Sequence, residues 1–241
     1  MAGHHSEKVA GRLPVLAALQ AGRRRPRCLY VYEHAKDLGA IKEAAATIPV
    51  EQVNRKRLDD LSAGVNHQGV VLQAAPLPVF PLDDWMQRHP EPEQALVMLD
   101  GVEDPQNFGA IIRSAAAFGA AGVLFAKDRA SPITTAAMKA AAGGMEYVDL
   151  IQVTNLARAL ETLKKQGFWI AALAEDAEQP IWKADLRGRI ALIIGNEGTG
   201  IRRLVKERAD FLLSIPLTNA LPSLNASVSA GIALAEWSRQ R

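Results

Sequence analysis

The sequence predicts an α/β protein in two unequal units: a small α/β domain over residues 1–77, a proline-rich linker over 78–93, and a larger domain with a parallel sheet over 94–241. Two observations carry this. Short apolar runs alternate with helical stretches, most regularly after residue 93, which is the pattern of strands buried on both faces beneath helices. Between the units, AAPLPVFPLDDWMQRHPEPEQ holds five prolines and an acidic tilt, and it reads as a linker that sustains neither a long helix nor a central strand.

In the front unit, a helix around VLAALQA leads to the strand CLYVYE, and the helical stretch DLGAIKEAAA to the short runs IPVEQV and GVVLQAA. After the linker come LVMLD, a helix from about Asn107, GVLFAK, an alanine-rich helix, YVDLIQV, the helix NLARALETLKKQG and FWIAALA. RIALIIG, a helix near 201–208, FLLSIPL and a helix over about 224–238 complete the chain. The opening MAGHHSEK is set aside from the fold argument.

Composition excludes several chemistries. Among 241 residues, 49% are hydrophobic and 22% charged, enough for one large core or two modest ones. No apolar run approaches the roughly 20 residues of a bilayer span, and the start lacks a signal-peptide core, so a cytoplasmic protein without a membrane partner is expected. The single cysteine, Cys28, fits a reducing compartment. All five histidines lie at or before residue 89, so the larger domain has neither His nor Cys. A Ser-His-Asp triad, a Cys-His pair or a zinc site would need groups from the other domain. Its chemistry therefore falls to Arg, Lys, carboxylates, hydroxyls, amides and backbone, with no metal expected.

Net charge is +2 but uneven: residues 1–77 carry 11 Lys/Arg against 7 Asp/Glu. The densest stretch, GRRRPR, offers Arg23, Arg24 and Arg25 either as phosphate contacts or as a solvated loop. His67 and Gln68 stand beside the run GVVLQ, as RNA contacts or as a strand-entry turn.

Three polar stretches sit at the ends of apolar elements. ALIIGNEGTGIRR runs from a strand into a glycine-rich turn, but it lacks the Lys-Ser/Thr pair of a P-loop and the order and position of a dinucleotide fingerprint. Its glycines either let the backbone approach a ligand or merely permit a strand-to-helix turn. DPQNFGAIIRSAAAFG supplies helix start signals, with Asn107 as the N-cap candidate, and Arg113 follows six residues later on an otherwise apolar stretch. Arg113 is either a surface ion-pair partner or a functional group. In IPLTNALPSLNASVSAGIAL, Pro216 and Pro222 flank a loop, Ser223 or Asn225 opens a helix, and that helix's small residues offer close packing to another helix, a candidate subunit interface.

Taken together, N-F-G-x-x-x-R at 107–113, G-N-E-G-x-G at 195–200 and I-P-L…S-L-N-x-S-V at 215–228 resemble the three motifs of the SpoU branch of knotted RNA methyltransferases. GRLPVLAALQAG at 11–22 and NHQGVVLQ at 66–73 resemble the ribosomal-protein-like RNA-recruiting domain that precedes the catalytic domain in members acting on large-subunit rRNA.

The resemblance implies S-adenosylmethionine as methyl donor, a deep trefoil knot of the SPOUT class with loops at about 173–176, 195–200 and 215–224, and a homodimer packed through that knot. It implies cofactor contacts at Leu173, Ala174, Gly195, Asn196, Gly200, Ile215, Leu217 and Leu224. It implies catalysis by Arg113, with Asn107, Glu197, Ser223 and Asn225 orienting Arg113 and the ribose. The expected reaction is 2′-O-methylation of a guanosine in 23S rRNA. Another rRNA nucleotide, a tRNA, and a non-catalytic RNA-binding assembly factor are the alternatives. A flexibly tethered front domain would suit recognition of RNA by shape.

Overall fold

The computed structural model describes residues 6–128, 133–218 and 223–241. The front domain is built from β1 (Glu7–Ala10), α1 (Arg12–Ala21), β2 (Pro26–Tyr32), α2 (Gly39–Ala44), β3 (Val50–Val53), α3 (Arg55–Leu61) and β4 (Val70–Ala74). Its sheet runs β1-β4-β2-β3, antiparallel except for the β2/β3 pair. Glu7 and Lys8, in the octet set aside above, are therefore strand residues; the first five lie outside the described residues. Helix α3 has no counterpart in the sequence reading because RKRLDDL buries only Leu58 fully and carries no apolar stripe.

The proline-rich segment is not a bare linker. It forms β5 (Val79–Phe80), which pairs in parallel with the later strand residues Leu150 and Ile151, and α4 (Leu82–Arg88), which buries Trp85 completely. Prolines 76, 78, 81, 90 and 92 flank α4 without entering it, and Pro81 holds the extended N-cap position. Proline is harmless outside a helix interior.

The larger domain continues with β6 (Gln94–Asp100), α5 (Pro105–Phe118), β7 (Gly122–Ala126), α6 (Thr135–Ala140), a 3-10 turn at Gly144–Glu146, β8 (Asp149–Val153), α7 (Leu156–Lys165) and β9 (Trp169–Leu173). Then come β10 (Gln179–Pro180), a 3-10 turn at Ile181–Lys183, β11 (Arg189–Gly195), α8 (Arg203–Lys206), β12 (Phe211–Ser214) and α9 (Ala226–Arg239). Eight strands form one parallel sheet in the order β10-β12-β9-β11-β6-β7-β8-β5. Alternate residues of β6 enter opposite cores. Leu96 and Met98 pack beneath α4 and α7, while Ala95, Val97 and Leu99 pack beneath α5 and α9. Both faces are covered, which is why the strands read as unbroken apolar runs.

Residues from the two domains share one core cluster, with Val15, Leu29 and Val31 of the front domain joined to Met145, Val148 and Trp237. A Cβ on Gly143 would lie 2.5 Å from Ala17 Cβ, so α1 sits hard against the turn before the 3-10 segment. Arg24, fully buried in its side chain, pairs with Glu146 Oε1 at 2.8 Å and with Glu7 Oε2 at 3.1 Å. Arg23 donates to Val148 O at 2.8 Å and pairs with Asp149, which also accepts from Trp85 Nε1 at 3.1 Å and bonds His89 Nε2 at 2.8 Å. The front domain is therefore docked where a flexible tether was expected, and Arg23 and Arg24, read as phosphate contacts or a solvated loop, are held in ion pairs with Asp149 and Glu146 of the larger domain and with Glu7 of their own. Burying these charges is tolerated only because each has an opposite partner.

Candidate active site

The first motif opens α5. Asp104, not Asn107, is the N-cap: its carboxylate accepts from Asn107 N at 3.0 Å, because Pro105 takes the first helical position and moves the cap one residue ahead of it. The Asn107 side chain is thereby free to act elsewhere. Gly109 lets α5 approach α6, since a Cβ there would sit 2.4 Å from Ala137 O.

The second motif is a tight loop at the carboxyl end of β11. Asn196 and Gly200 exchange backbone hydrogen bonds at 3.1 and 2.9 Å. Asn196 Oδ1 accepts from Gly198 N at 2.8 Å, and its Nδ2 donates to Gly101 O at 2.8 Å, tying the loop to the end of β6. Gly200 has φ +65°, and a Cβ on Gly195 would collide with Gly200 C at 2.5 Å. Asn196 thus organises the loop from within, and Gly195 is required by its closure.

The third motif opens α9. Asn225 is the N-cap, its Oδ1 accepting from Ser227 N at 2.9 Å, which resolves the choice between Ser223 and Asn225. Its Nδ2 donates to Asn107 Oδ1 at 2.9 Å and also to Glu197 Oε1. Asn107 Nδ2 donates to the same Glu197 Oε1 at 2.8 Å, and Ala226 N adds a bond at 3.3 Å. One residue from each motif therefore meets in a closed triangle. The bonds that Glu197 accepts all fall on Oε1, and Glu197 is solvent-exposed.

Beside the triangle lies a cavity of about 470 Å³, within the size range of small-molecule sites. Leu173, Ala174, Gly195, Asn196, Gly200, Ile215, Leu217 and Leu224 all line it, as do Glu197 and Ser223. It thus gathers the ends of β9, β11 and β12, where ligands of parallel sheets collect. Residues 219–222 of the expected loop 215–224, with Pro222, lie outside the described residues. Lys206 closes one rim through Asp176, at 2.6 and 2.7 Å.

Arg113 is exposed on α5 with no ion pair or hydrogen bond among the described residues. Its Cα is backed by Gly144, where a Cβ would approach to 3.0 Å. The small residues of α9 are used within the chain: Ala226, Ala230 and Ala233 are buried, and α9 packs against α5.

The expected RNA contacts of the front domain divide. His67 is buried; Gly69 N donates to its Nδ1 at 2.9 Å, so Nε2 carries the proton toward Asp59 Oδ1 at 3.1 Å. Gln68, at φ +52°, accepts from Arg12 N at 2.9 Å and completes the start of α1, where Gly11 brings no side-chain cap. Both serve the turn into β4, the structural alternative of the sequence reading. Arg25 is exposed and stays available.

One pair has no counterpart in the motifs. Asp100, with a fully buried side chain at the end of β6, accepts from Arg202 N at 2.8 Å and from Arg202 Nε at 2.6 Å. The only trace in the sequence is a carboxylate ending the apolar run LVMLD.

Known proteins match this arrangement. The profile of the SpoU rRNA Methylase family matches residues 94–235, and one described as RNA 2′-O ribose methyltransferase substrate binding matches residues 8–80. A 23S rRNA (guanosine-2′-O-)-methyltransferase RlmB of Vibrio vulnificus is 44% identical over 80% of this chain and 79% of its own length. The protein of that name from Pseudomonas putida is 40% identical over 98% of this chain and 97% of its own. Among solved structures, an RNA 2′-O ribose methyltransferase superposes with TM-score 0.82 at 26% identity, covering 98% of this chain and 89% of the other. An AdoMet-bound rRNA methyltransferase from Sinorhizobium meliloti does so with TM-score 0.81 at 25% identity, covering 97% and 87%. The chain belongs to the SpoU rRNA methylase family.

Proposed function

We propose that the chain transfers a methyl group from S-adenosylmethionine to the ribose 2′-oxygen of a guanosine in 23S rRNA. The observation that carries this reading is the convergence of Asn107, Glu197 and Asn225 beside a cavity built from the three carboxyl-end loops. The substrate follows the relatives named for 23S rRNA guanosine methylation, which match 80% and 98% of the chain at 44% and 40% identity.

The cavity suits S-adenosylmethionine. Its volume accepts a ligand of that size, Leu173, Ile215, Leu217 and Leu224 offer apolar walls for adenine, and the carboxylates of Glu175, Asp176 and Glu197 suit a cationic ligand. When bound, the cofactor supplies a methyl on a positively charged sulfur. The backbone of the 195–200 loop would hold it, with Ser223 on the same cavity wall placed to orient the ribose. Asn107 and Asn225 lock the Glu197 carboxylate through Oε1, so Oε2 faces the reacting groups in a fixed orientation. The Arg113 guanidinium would bind the developing alkoxide or an adjacent phosphate, while the 2′-proton leaves through a phosphate, a carboxylate or water.

Three finer elements belong to the same reading. The return of β12 beside β9, with α9 packed on α5 and β11, supports a knotted path. Exposed Val228 on α9 and Leu217 at the cavity support a homodimer through that region. None of the described helices is long and apolar enough to cross a membrane, which accords with a cytoplasmic enzyme.

The test is methylation of a 23S rRNA transcript by the purified protein, with Arg113→Lys beside it. The variant keeps the charge but loses the planar fork, so kcat should fall by about 10²-fold or more. Near-wild-type turnover would remove Arg113 from its role.

A further inference from the structure

On the side of the 196–200 loop that faces the end of β6, a second hollow of about 310 Å³ is lined by Asp100, Gly101, Glu103, Asn196, Thr199, Gly200 and Arg202. Its walls are the connection from β6 into α5, the helix that carries Asn107, and the loop that carries Glu197. Three bonds lace these loops together: Asn196 Nδ2 to Gly101 O, and Arg202 N and Nε to Asp100. Asp100 is wholly buried in its side chain, whereas the Arg202 side chain is 45% exposed. The carboxylate therefore fixes the inner edge of the guanidinium and leaves its outer edge toward solvent. Nη1 and Nη2 have no acceptor among the described residues. The neighbouring Arg203 differs, since it pairs with Glu207 at 3.4 Å on the helix surface.

We propose that Arg202 is an RNA phosphate contact, held in a preset orientation by Asp100, that seats the backbone of the strand carrying the target ribose. The proposal rests on the RNA methyltransferase reading above. An anchored guanidinium loses little freedom on binding, and its two free amino groups match two phosphate oxygens. Glu103, exposed on the same hollow, opposes an anion there, so the phosphate must sit against the Arg202 edge. A merely structural Arg202 would only neutralise Asp100.

The test is the salt dependence of binding of a 23S rRNA transcript to wild type, Arg202→Gln and Arg203→Gln, with S-adenosylmethionine affinity and thermal midpoint measured on each. Arg202→Gln should raise KM for RNA about 5- to 20-fold, a typical range for losing one charged contact. It should flatten the slope of log K against log salt by about 0.7–0.9, with kcat at saturating RNA near wild type. Arg203→Gln should change neither KM nor slope. An unchanged slope for Arg202→Gln, or a loss confined to cofactor affinity and stability, would overturn the proposal. A wild-type protein that binds the transcript but does not methylate it would instead count against the functional reading.

Discussion

Asn107 and Glu197 stand 90 residues apart in the chain, yet the Asn107 amide donates to Glu197 Oε1 at 2.8 Å, and Asn225 joins both. The two asparagines reach this point by different routes. Asn225 caps its own helix with Oδ1 and has Nδ2 to spare, whereas Asn107 is released from capping by Asp104. Every bond that Glu197 makes within the triangle falls on Oε1, so the scaffold and the chemistry of that residue are separable.

Glu197→Gln retains an Oε1 that can accept the same donors but removes the charge. Its unfolding free energy should stay within about 0.5 kcal/mol of wild type, while kcat for RNA methylation falls by about 10²-fold. Urea denaturation beside single-turnover kinetics measures both. A stable variant with full turnover would leave Glu197 as scaffold alone.

Gly195→Ala drives a Cβ into Gly200 C at 2.5 Å and Ile201 N at 2.7 Å, backbone atoms that move only with the whole loop. The substitution should cost about 1–3 kcal/mol. It should also weaken S-adenosylmethionine binding about tenfold or more, the equivalent of 1.4 kcal/mol. Calorimetric titration of the folded variant measures the second effect; unchanged affinity would detach the loop from the cofactor.

Arg24→Ala leaves Glu146 buried beside Glu7 without its cation, and should destabilise the protein by about 3–5 kcal/mol near pH 7. Burial already raises the Glu146 pKa above its ordinary range, and Arg24 is the main opposing influence. A raised native pKa means that the folded state holds the proton more tightly, so this group's contribution to stability is lost as pH rises through the folded value. Without Arg24 that value rises further. The variant's deficit should therefore shrink on lowering the pH toward 5, read by urea unfolding at both pH values. A deficit independent of pH would contradict the pairing.

Trp85→Ala tests whether the proline-flanked segment is part of the larger domain. Trp85 is fully buried, stacks on His89 at 4.5 Å and donates to Asp149. Truncation should cost about 3–5 kcal/mol in global unfolding; a loss below about 1 kcal/mol would return the segment to a linker role.

The strands of the larger domain were legible because burial on both faces leaves unbroken apolar runs, and RIALIIG matches β11 residue for residue. The site motifs were legible together, through their resemblance to a known set of three, because each polar residue taken alone also suits a cap or a turn. The rest needed three dimensions. GRRRPR shows three arginines in a row, but which of them turn inward depends on Glu146 and Asp149, more than 100 residues away. His67 looks exposed beside NHQG until its ring is seen bonded on both nitrogens. The prolines of 76–92 hid α4 by density, although they only bracket it.

The central claim meets its most direct test in a map of ribose 2′-O-methyl positions in total RNA from cells with and without the gene, complemented by wild type or by Glu197→Gln. The expected result is loss of one methyl at a single 23S rRNA guanosine, restored by the wild-type gene and not by the variant. A map unchanged by deletion, or a loss restored equally by Glu197→Gln, would contradict it.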